Sequence, residues 1–283
     1  MAREKFKNVI LVLVYGKRVE DSYSYQALIC YAREHSDSAV VFWNNGPEKL
    51  NYIPVLENIF FNETLENKSL SCVYNCFIER WYADSYLLLD DDSIVDNSFL
   101  ESFSSLSNDL AVPVIWDEGI AYYPLVNGVV IDHSQEYLIN DVSLMSIGSG
   151  LIVKRKIIDK LRLKFETVFD ERFNIYGVDT SFFYRLNMID MEDCRFEVIP
   201  SIKHSLSKNK QESKDVMHFR ARERSRDIAL TLIHYRAQVN VYRILLSVVI
   251  NSFLATLGWQ KKHYSIRSLA KFLLDVRARE YGE

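Results

Sequence analysis

The chain has 283 residues, 48% hydrophobic and 25% charged, with 34 Lys and Arg against 38 Asp and Glu for a net charge of −4. That balance excludes a globally disordered chain and leaves room for one large α/β domain with a smaller appendage. Residues 1–202 carry a balance of −13 and residues 203–283 a balance of +9, so the acidic main body argues against nucleic acid as its ligand, while the basic tail marks a part with different partners.

The apolar run Val9 to Val14 has the length of a strand covered on both faces; it is too short for a signal segment, and no stretch reaches the ~20 apolar residues of a membrane span. A helical pattern follows through Ala27, Leu28, Tyr31 and Ala32, with Ser22 as its expected cap. Ala39 to Trp43 reads as a second strand, ended by the turn Asn44-Asn45-Gly46-Pro47. Phe60 and Phe61 fall in a short third strand, residues 67–81 in a helix, and Tyr86 to Leu89 in another buried strand. Alternating strands and helices predict a mostly parallel sheet with helices on both faces.

The second half is less regular. Strands are expected at Ala111 to Ile115, Gly128 to Ile131, Ser149 to Val153 and Glu197 to Ile199, and helices at 154–161 and 178–188. Residues 205–215 are polar and lack periodicity, as a linker does. Residues 216–283 read as helical, with apolar positions at Leu230, Ile233, Leu245, Val249, Phe253 and Leu257. The expected division is therefore 1–207 as the catalytic domain and 208–283 as a basic, amphipathic helical region. The four cysteines, Cys30, Cys72, Cys76 and Cys194, complete no zinc set and read as buried free thiols of a reducing cytoplasm.

Two motifs carry candidate chemistry. In Leu88-Leu89-Asp90-Asp91-Asp92-Ser93 a buried strand runs into three carboxylates. Adjacent acids repel one another unless a cation or hydrogen-bond donors offset the charge, and Mn²⁺ or Mg²⁺ with a substrate phosphate does so. Continued strand geometry would point Asp90 and Asp92 to one side and Asp91 to the other. The competing reading is a set of acids capping the helix that begins near Asn97. The second motif, Phe169-Asp170-Glu171 followed by Val178-Asp179-Thr180 and Arg185, places Asp179 at the start of an apolar helix. The positive helix end would keep Asp179 ionised, as a general base requires; a plain N-cap is the alternative.

The order and spacing of these motifs over residues 8–207 resemble the inverting GT-A glycosyltransferases of family 2. The chain is most similar to the bacterial rhamnosyl- and galactofuranosyl-type transferases of surface polysaccharide assembly. The matching segments are the strand ending in Asp90-Asp91-Asp92, the Asn44-Asn45 turn, the small-residue segment Ser146-Ile147-Gly148-Ser149-Gly150, Phe169-Asp170-Glu171, and Val178-Asp179-Thr180 to Arg185. Asn44 stands where the family often has Asp, and the first strand runs into Tyr15-Gly16-Lys17 in place of a Thr-Tyr-Asn type turn.

The resemblance implies a Rossmann-like GT-A fold. It implies a metal-dependent transfer of a sugar from a nucleotide-sugar, dTDP-rhamnose or a UDP-hexose, to a glycan acceptor that is lipid-linked, in O-antigen or capsule assembly. Asp90 and Asp92 would hold the metal with the donor diphosphate nearby, and His204 would be a third ligand or a diphosphate contact. Asp91, Tyr15, Asn44 and Asn45 would belong to the nucleotide pocket, with Tyr15 stacked on the base. Asp179 would be the catalytic base, and Arg185 would brace its loop or reach a phosphate.

The basic residues of the tail, Arg220, Arg222, Arg224 and Arg226, then Lys261, Lys262, Arg267 and Lys271 beside Trp259 and Tyr264, suit a peripheral contact with anionic lipid on the cytoplasmic face, or a face packed on the body. A sugar nucleotidyltransferase is a second reading, although Gly16-Lys17-Arg18 lacks the other glycines of a phosphate loop. A non-catalytic glycan-binding protein on the same fold is a third.

Overall fold

The computed structural model describes residues 5–204, 213–258 and 263–281, with backbone alone for 276–281. In chain order the elements begin β1 (Lys5–Val14), α1 (Tyr25–Glu34), β2 (Ser38–Asn44), β3 (Ile59–Glu63), α2 (Leu70–Arg80) and β4 (Tyr82–Asp90). There follow β5 (Ser93–Ile94), α3 (Asn97–Ser105), β6 (Leu110–Asp117), β7 (Ile120–Tyr123), β8 (Leu125–Val126), β9 (Val129–Val130), β10 (Gln135–Leu138) and β11 (Leu144–Met145). The chain continues through β12 (Ile152–Lys154), α4 (Arg155–Phe165), α5 (Val178–Leu186) and β13 (Arg195–His204), and ends in α6 (Lys214–His234), α7 (Val241–Thr256) and α8 (Ile266–Tyr281).

The central sheet has the order β10-β13-β6-β12-β4-β1-β2-β3, with β5 on β13 and β7 on β6. β1 pairs in parallel with β2 and β4, β2 with β3, and β6 with β13, so the long pairings are parallel, as expected of a Rossmann-like α/β sheet. Alternation along β1 divides the core between the two faces. Val9, Leu11 and Leu13 pack with α2, α4 and α5, through Val73, Phe77, Ile157, Leu161, Phe182 and Phe183. Ile10, Val12 and Val14 pack with α1 and α3, through Leu28, Tyr31, Phe99 and Phe103.

Several local expectations change. The strand at 149–153 is the short β12, antiparallel to both neighbours, because no α-helix between β6 and β12 carries the chain back to the far edge of the sheet. Of the strand expected at 128–131 only the exposed pair Val129–Val130 forms, in a small separate sheet β11-β8-β9. α1 starts three residues after Ser22: its N-cap is Ser24, and the Ser22 hydroxyl is buried without a partner. Cys30 is exposed and only Cys194 is fully buried; Cys72 and Cys76 face each other at 4.0 Å, one helical turn apart.

Among the described residues the tail holds three α-helices, of which α6 is tied to the body. Leu230 and Tyr235 belong to the main core, while Ala229, Val248 and Leu269 form a small cluster joining α6, α7 and α8. The expected linker lies outside the described residues up to position 212; Ser213 then caps α6, its hydroxyl accepting the Val216 N–H. Trp259, Lys261 and Lys262 also lie outside the described residues, whereas Arg267 and Lys271 are exposed on α8.

Candidate functional site

Successive strands leave β1 in opposite directions, β2 on one side and β4 on the other, so a crevice opens between the carboxyl ends of β1 and β4. Leu87, Leu88 and Leu89 are buried; Asp90 closes the strand at the edge of that crevice. Asp91 turns away: its carboxylate accepts the Tyr15 N–H at 3.1 Å and pairs with Lys17 at 2.9 Å, and its carbonyl accepts the Tyr23 N–H. Asp91 thus braces the loop after β1. The capping alternative for the cluster falls to another residue, since Asp96 caps α3, its carboxylate accepting the Phe99 N–H at 2.9 Å.

β13 brings His204 to Asp90 and Asp92, because β5 pairs with the end of β13 and sets His204 opposite Ser93. His204 Nδ1 lies 2.9 Å from the Ser93 hydroxyl and 3.2 Å from Asp92 Oδ1, leaving Nε2 toward Asp90 at 3.9 Å. Ser149 extends the support, accepting the Asp90 N–H and bonding to Ser93. One ligand atom from each of Asp90, Asp92 and His204 lies within 4.8 Å of the others, close enough to hold a metal ion. Two carboxylates and an imidazole whose far nitrogen is fixed by a hydroxyl form a suitable donor set.

Asp179 lines the same cavity, of about 530 Å³, as Asp90, Asp92 and His204. Gly177 at φ +80° is the N-cap of α5, so Asp179 is the second residue of the helix and not its cap. The Gly148 N–H bonds the carboxylate, and a Cβ at Gly148 would stand 2.6 Å from Asp179 Oδ1. This contact gives the small-residue segment its physical reason. The helix end does not hold Asp179 at the ordinary carboxylate value: burial, reinforced by the Asp90 charge, pushes its pKa up to about 7 despite the Gly148 bond.

Four of the residues singled out from the sequence stand elsewhere. Asn44 is buried, its carboxamide bound to the Glu48 carbonyl, Glu63 and the Gly46 N–H. Asn45 is equally enclosed, bound to Thr64 and to the backbone of Lys68. Both hold the turn after β2 and do not line the cavity. The Tyr15 ring is exposed at the end of β1, outside the cavity lining. Arg185 is a brace and reaches no phosphate position: it donates to the carbonyls of Thr167 and Val168 and to the Tyr235 hydroxyl, and faces Asp170 at 3.6 Å.

Asp170 is the hub of that brace. Arg172 donates to it at 2.6 and 2.8 Å, and the Tyr235 hydroxyl at 2.7 Å. Burial acts to raise the Asp170 pKa, but the hydrogen bonds from Arg172 and Tyr235 and the two guanidinium charges together hold it below the ordinary carboxylate value.

Sequence reading missed the contribution of α6. Arg220, Arg224 and Asp227 line the cavity, and their i, i+4, i+7 spacing puts them on one face of the helix. Burial pushes the Asp227 carboxyl up to about 7, and its oxygen lies 2.2 Å from where a Cβ on Gly177 would stand. The expected single cluster of arginines is divided, since residues two apart on a helix point about 200° apart. Arg222 lies over the Phe272 ring, and Arg226 donates to the Arg172 carbonyl. The Ser146 hydroxyl, also in the lining, is buried and has no partner. The chain matches no protein-family model and no curated protein.

Proposed function

We propose that the protein is a metal-dependent, inverting glycosyltransferase of GT-A type, taking a sugar from a nucleotide-sugar and delivering it to a hydroxyl of a glycan acceptor. One observation carries the reading: a ligand set of Asp90, Asp92 and His204 and a separate, protonatable carboxylate, Asp179, line a single cavity at the carboxyl edge of the sheet. A nucleotidyltransferase would not need the second carboxylate in that position.

Asp90, Asp92 and His204 would hold Mn²⁺ in preference to Mg²⁺, because one donor is an imidazole nitrogen. The ion, when bound, supplies positive charge to the leaving nucleoside diphosphate. Asp179, with a pKa of about 7, is poised to take a proton near neutrality. In the proposed step it accepts the proton of the acceptor hydroxyl, whose oxygen bonds to the anomeric carbon as the bond to the phosphate oxygen breaks. One displacement inverts the anomeric centre. Gly148 holds the base in place.

No helix among the described residues is long and apolar enough to cross a membrane. α7 nevertheless exposes Tyr242, Leu246, Val249, Ile250 and Phe253 and carries no acidic residue. With the +9 balance of residues 203–283, this supports a peripheral contact with anionic lipid, where a lipid-linked acceptor would be found.

The test is thermal stabilisation by a panel of nucleotide-sugars, dTDP-rhamnose and UDP-hexoses included, with and without Mn²⁺. A metal-dependent rise in Tm with one nucleotide class, lost in Asp92→Ala, is the expected result. The absence of any shift across the panel in a folded sample would overturn the reading.

A further inference from the structure

We infer that Arg220 and Arg224 of α6 form the diphosphate-binding wall of the cavity. The inference rests on the transferase reading only in taking that diphosphate to be part of a nucleotide-sugar.

The cavity would otherwise repel its substrate. Asp90 and Asp92 line it together with Asp179 and Asp227, while Asp91 is paired with Lys17, so a phosphoryl group entering the site needs cations beside it. A metal on Asp90, Asp92 and His204 answers part of that charge. Within the described lining the remaining cationic side chains are the two arginines of α6, one helical turn apart and both turned to the cavity. Two guanidiniums about 6 Å apart at their Cβ atoms suit adjacent phosphoryl groups, each taking paired N–H···O bonds, better than a single carboxylate.

The placement is specific to these two residues. Arg222 and Arg226 alternate with them along the helix and are directed to Phe272 and to the Arg172 carbonyl. Arg224 is also oriented before any ligand arrives: its guanidinium lies over the Tyr176 ring, 4.8 Å from the centroid, and Nη1 is 3.4 Å from His263 Nδ1. Tyr176 directly precedes Gly177, the N-cap of the helix that carries Asp179, so the arginine and the proposed base share one scaffold. Arg185, the arginine that the motifs singled out for phosphate, is used inside the body by Asp170, Thr167 and Tyr235.

The experiment is calorimetric titration of the full chain with inorganic pyrophosphate, in metal-free buffer and at saturating Mn²⁺, beside a titration with Mn²⁺ alone. Arg220→Gln and Arg224→Gln should each weaken pyrophosphate by about tenfold or more, with Mn²⁺ affinity unchanged. Arg224→Lys, which keeps the charge and loses the fork, should fall between wild type and Arg224→Gln; it also serves if the Gln variant folds poorly. Arg222→Gln should bind as wild type.

Failure of the wild type to bind pyrophosphate, unchanged binding in both Gln variants, or an equal loss in Arg222→Gln would overturn the inference. The two readings fail separately. Arginine-dependent pyrophosphate binding without any Mn²⁺ binding would remove the metal centre and leave this site standing. Mn²⁺ binding without pyrophosphate binding would do the reverse.

Discussion

Gly148 lies directly against the carboxylate of Asp179: its N–H bonds the side chain, and a methyl group in its place would stand 2.6 Å from Oδ1. Gly148→Ala is expected to lower kcat by about a hundredfold, the usual cost of displacing a reacting group by ~1 Å, while leaving Mn²⁺ affinity intact. Steady-state kinetics with the nucleotide-sugar that stabilises the protein would check it; unchanged kcat would contradict the placement of Asp179 as base.

Ser93 fixes the ring of His204 through Nδ1 at 2.9 Å and touches no ligand position itself. Ser93→Ala should therefore weaken Mn²⁺ by about 10- to 100-fold without abolishing binding, as loss of an orienting partner does. Asp92→Ala should remove the site. Mn²⁺ titration followed by electron paramagnetic resonance separates the two effects.

The Asp170 hub is a stability element. Asp170→Ala leaves the buried Arg185 guanidinium without its carboxylate, which should cost about 3–5 kcal/mol. Tyr235→Phe removes one donor to the same carboxylate and should cost about 1.5–3 kcal/mol. Urea unfolding measures both. A cost near zero for Asp170→Ala would mean the network does not hold α6 to the body.

Stability should vary with pH in two windows of opposite sign. The Asp170 pKa is lowered on folding, so its contribution is present above the unfolded value near 4 and is lost as pH falls below it. The Asp227 pKa rises from 3.8 to about 7, so the folded state holds its proton more tightly; that stability is fully present below about 4 and is lost as pH rises through 7. Asp179 contributes with the same sign over the same range, so Asp227→Asn should reduce the fall between pH 4 and 8 without abolishing it, by a difference on the order of 3–4 kcal/mol at the alkaline end. Denaturant midpoints across that range check the sign.

The exposed face of α7 yields a binding prediction. Leu246→Ser combined with Phe253→Ser should abolish sedimentation with anionic vesicles and leave Tm within a few degrees, since both side chains lie in solvent. Equal sedimentation of the double variant would assign any lipid contact to another surface.

Much of the parallel half of the fold was legible because its signals are local. A short apolar run closed by turn residues, such as Val9 to Val14, reads locally as a buried strand, and the general rule for open α/β sheets puts the expected ligand site beyond the strand end at Asp90. The direction of β12 was not legible, since it depends on how the chain returns from β6 and not on Ile152 or Val153 themselves. Asn44 and Asn45 look identical in sequence whether they face a nucleotide or tie down their own turn; only Glu63, Thr64 and Lys68 decide. Asp227 was invisible for a related reason. A lone acid in a basic helix reads as a solvated face until Gly177, 50 residues earlier, is seen beneath it.

The pairing of β5 with the end of β13 has a consequence for biosynthesis. Asp90 and Asp92 are translated more than a hundred residues before His204, and Arg220, Arg224 and Asp227 follow later still. A nascent chain that has just completed β4 therefore carries an acidic turn with no histidine beside it and no helix over the cavity. On the proposed reading the ligand set is complete only once residue 204 has been made, and the arginine wall only after residue 224, so chains released earlier should bind neither metal nor donor.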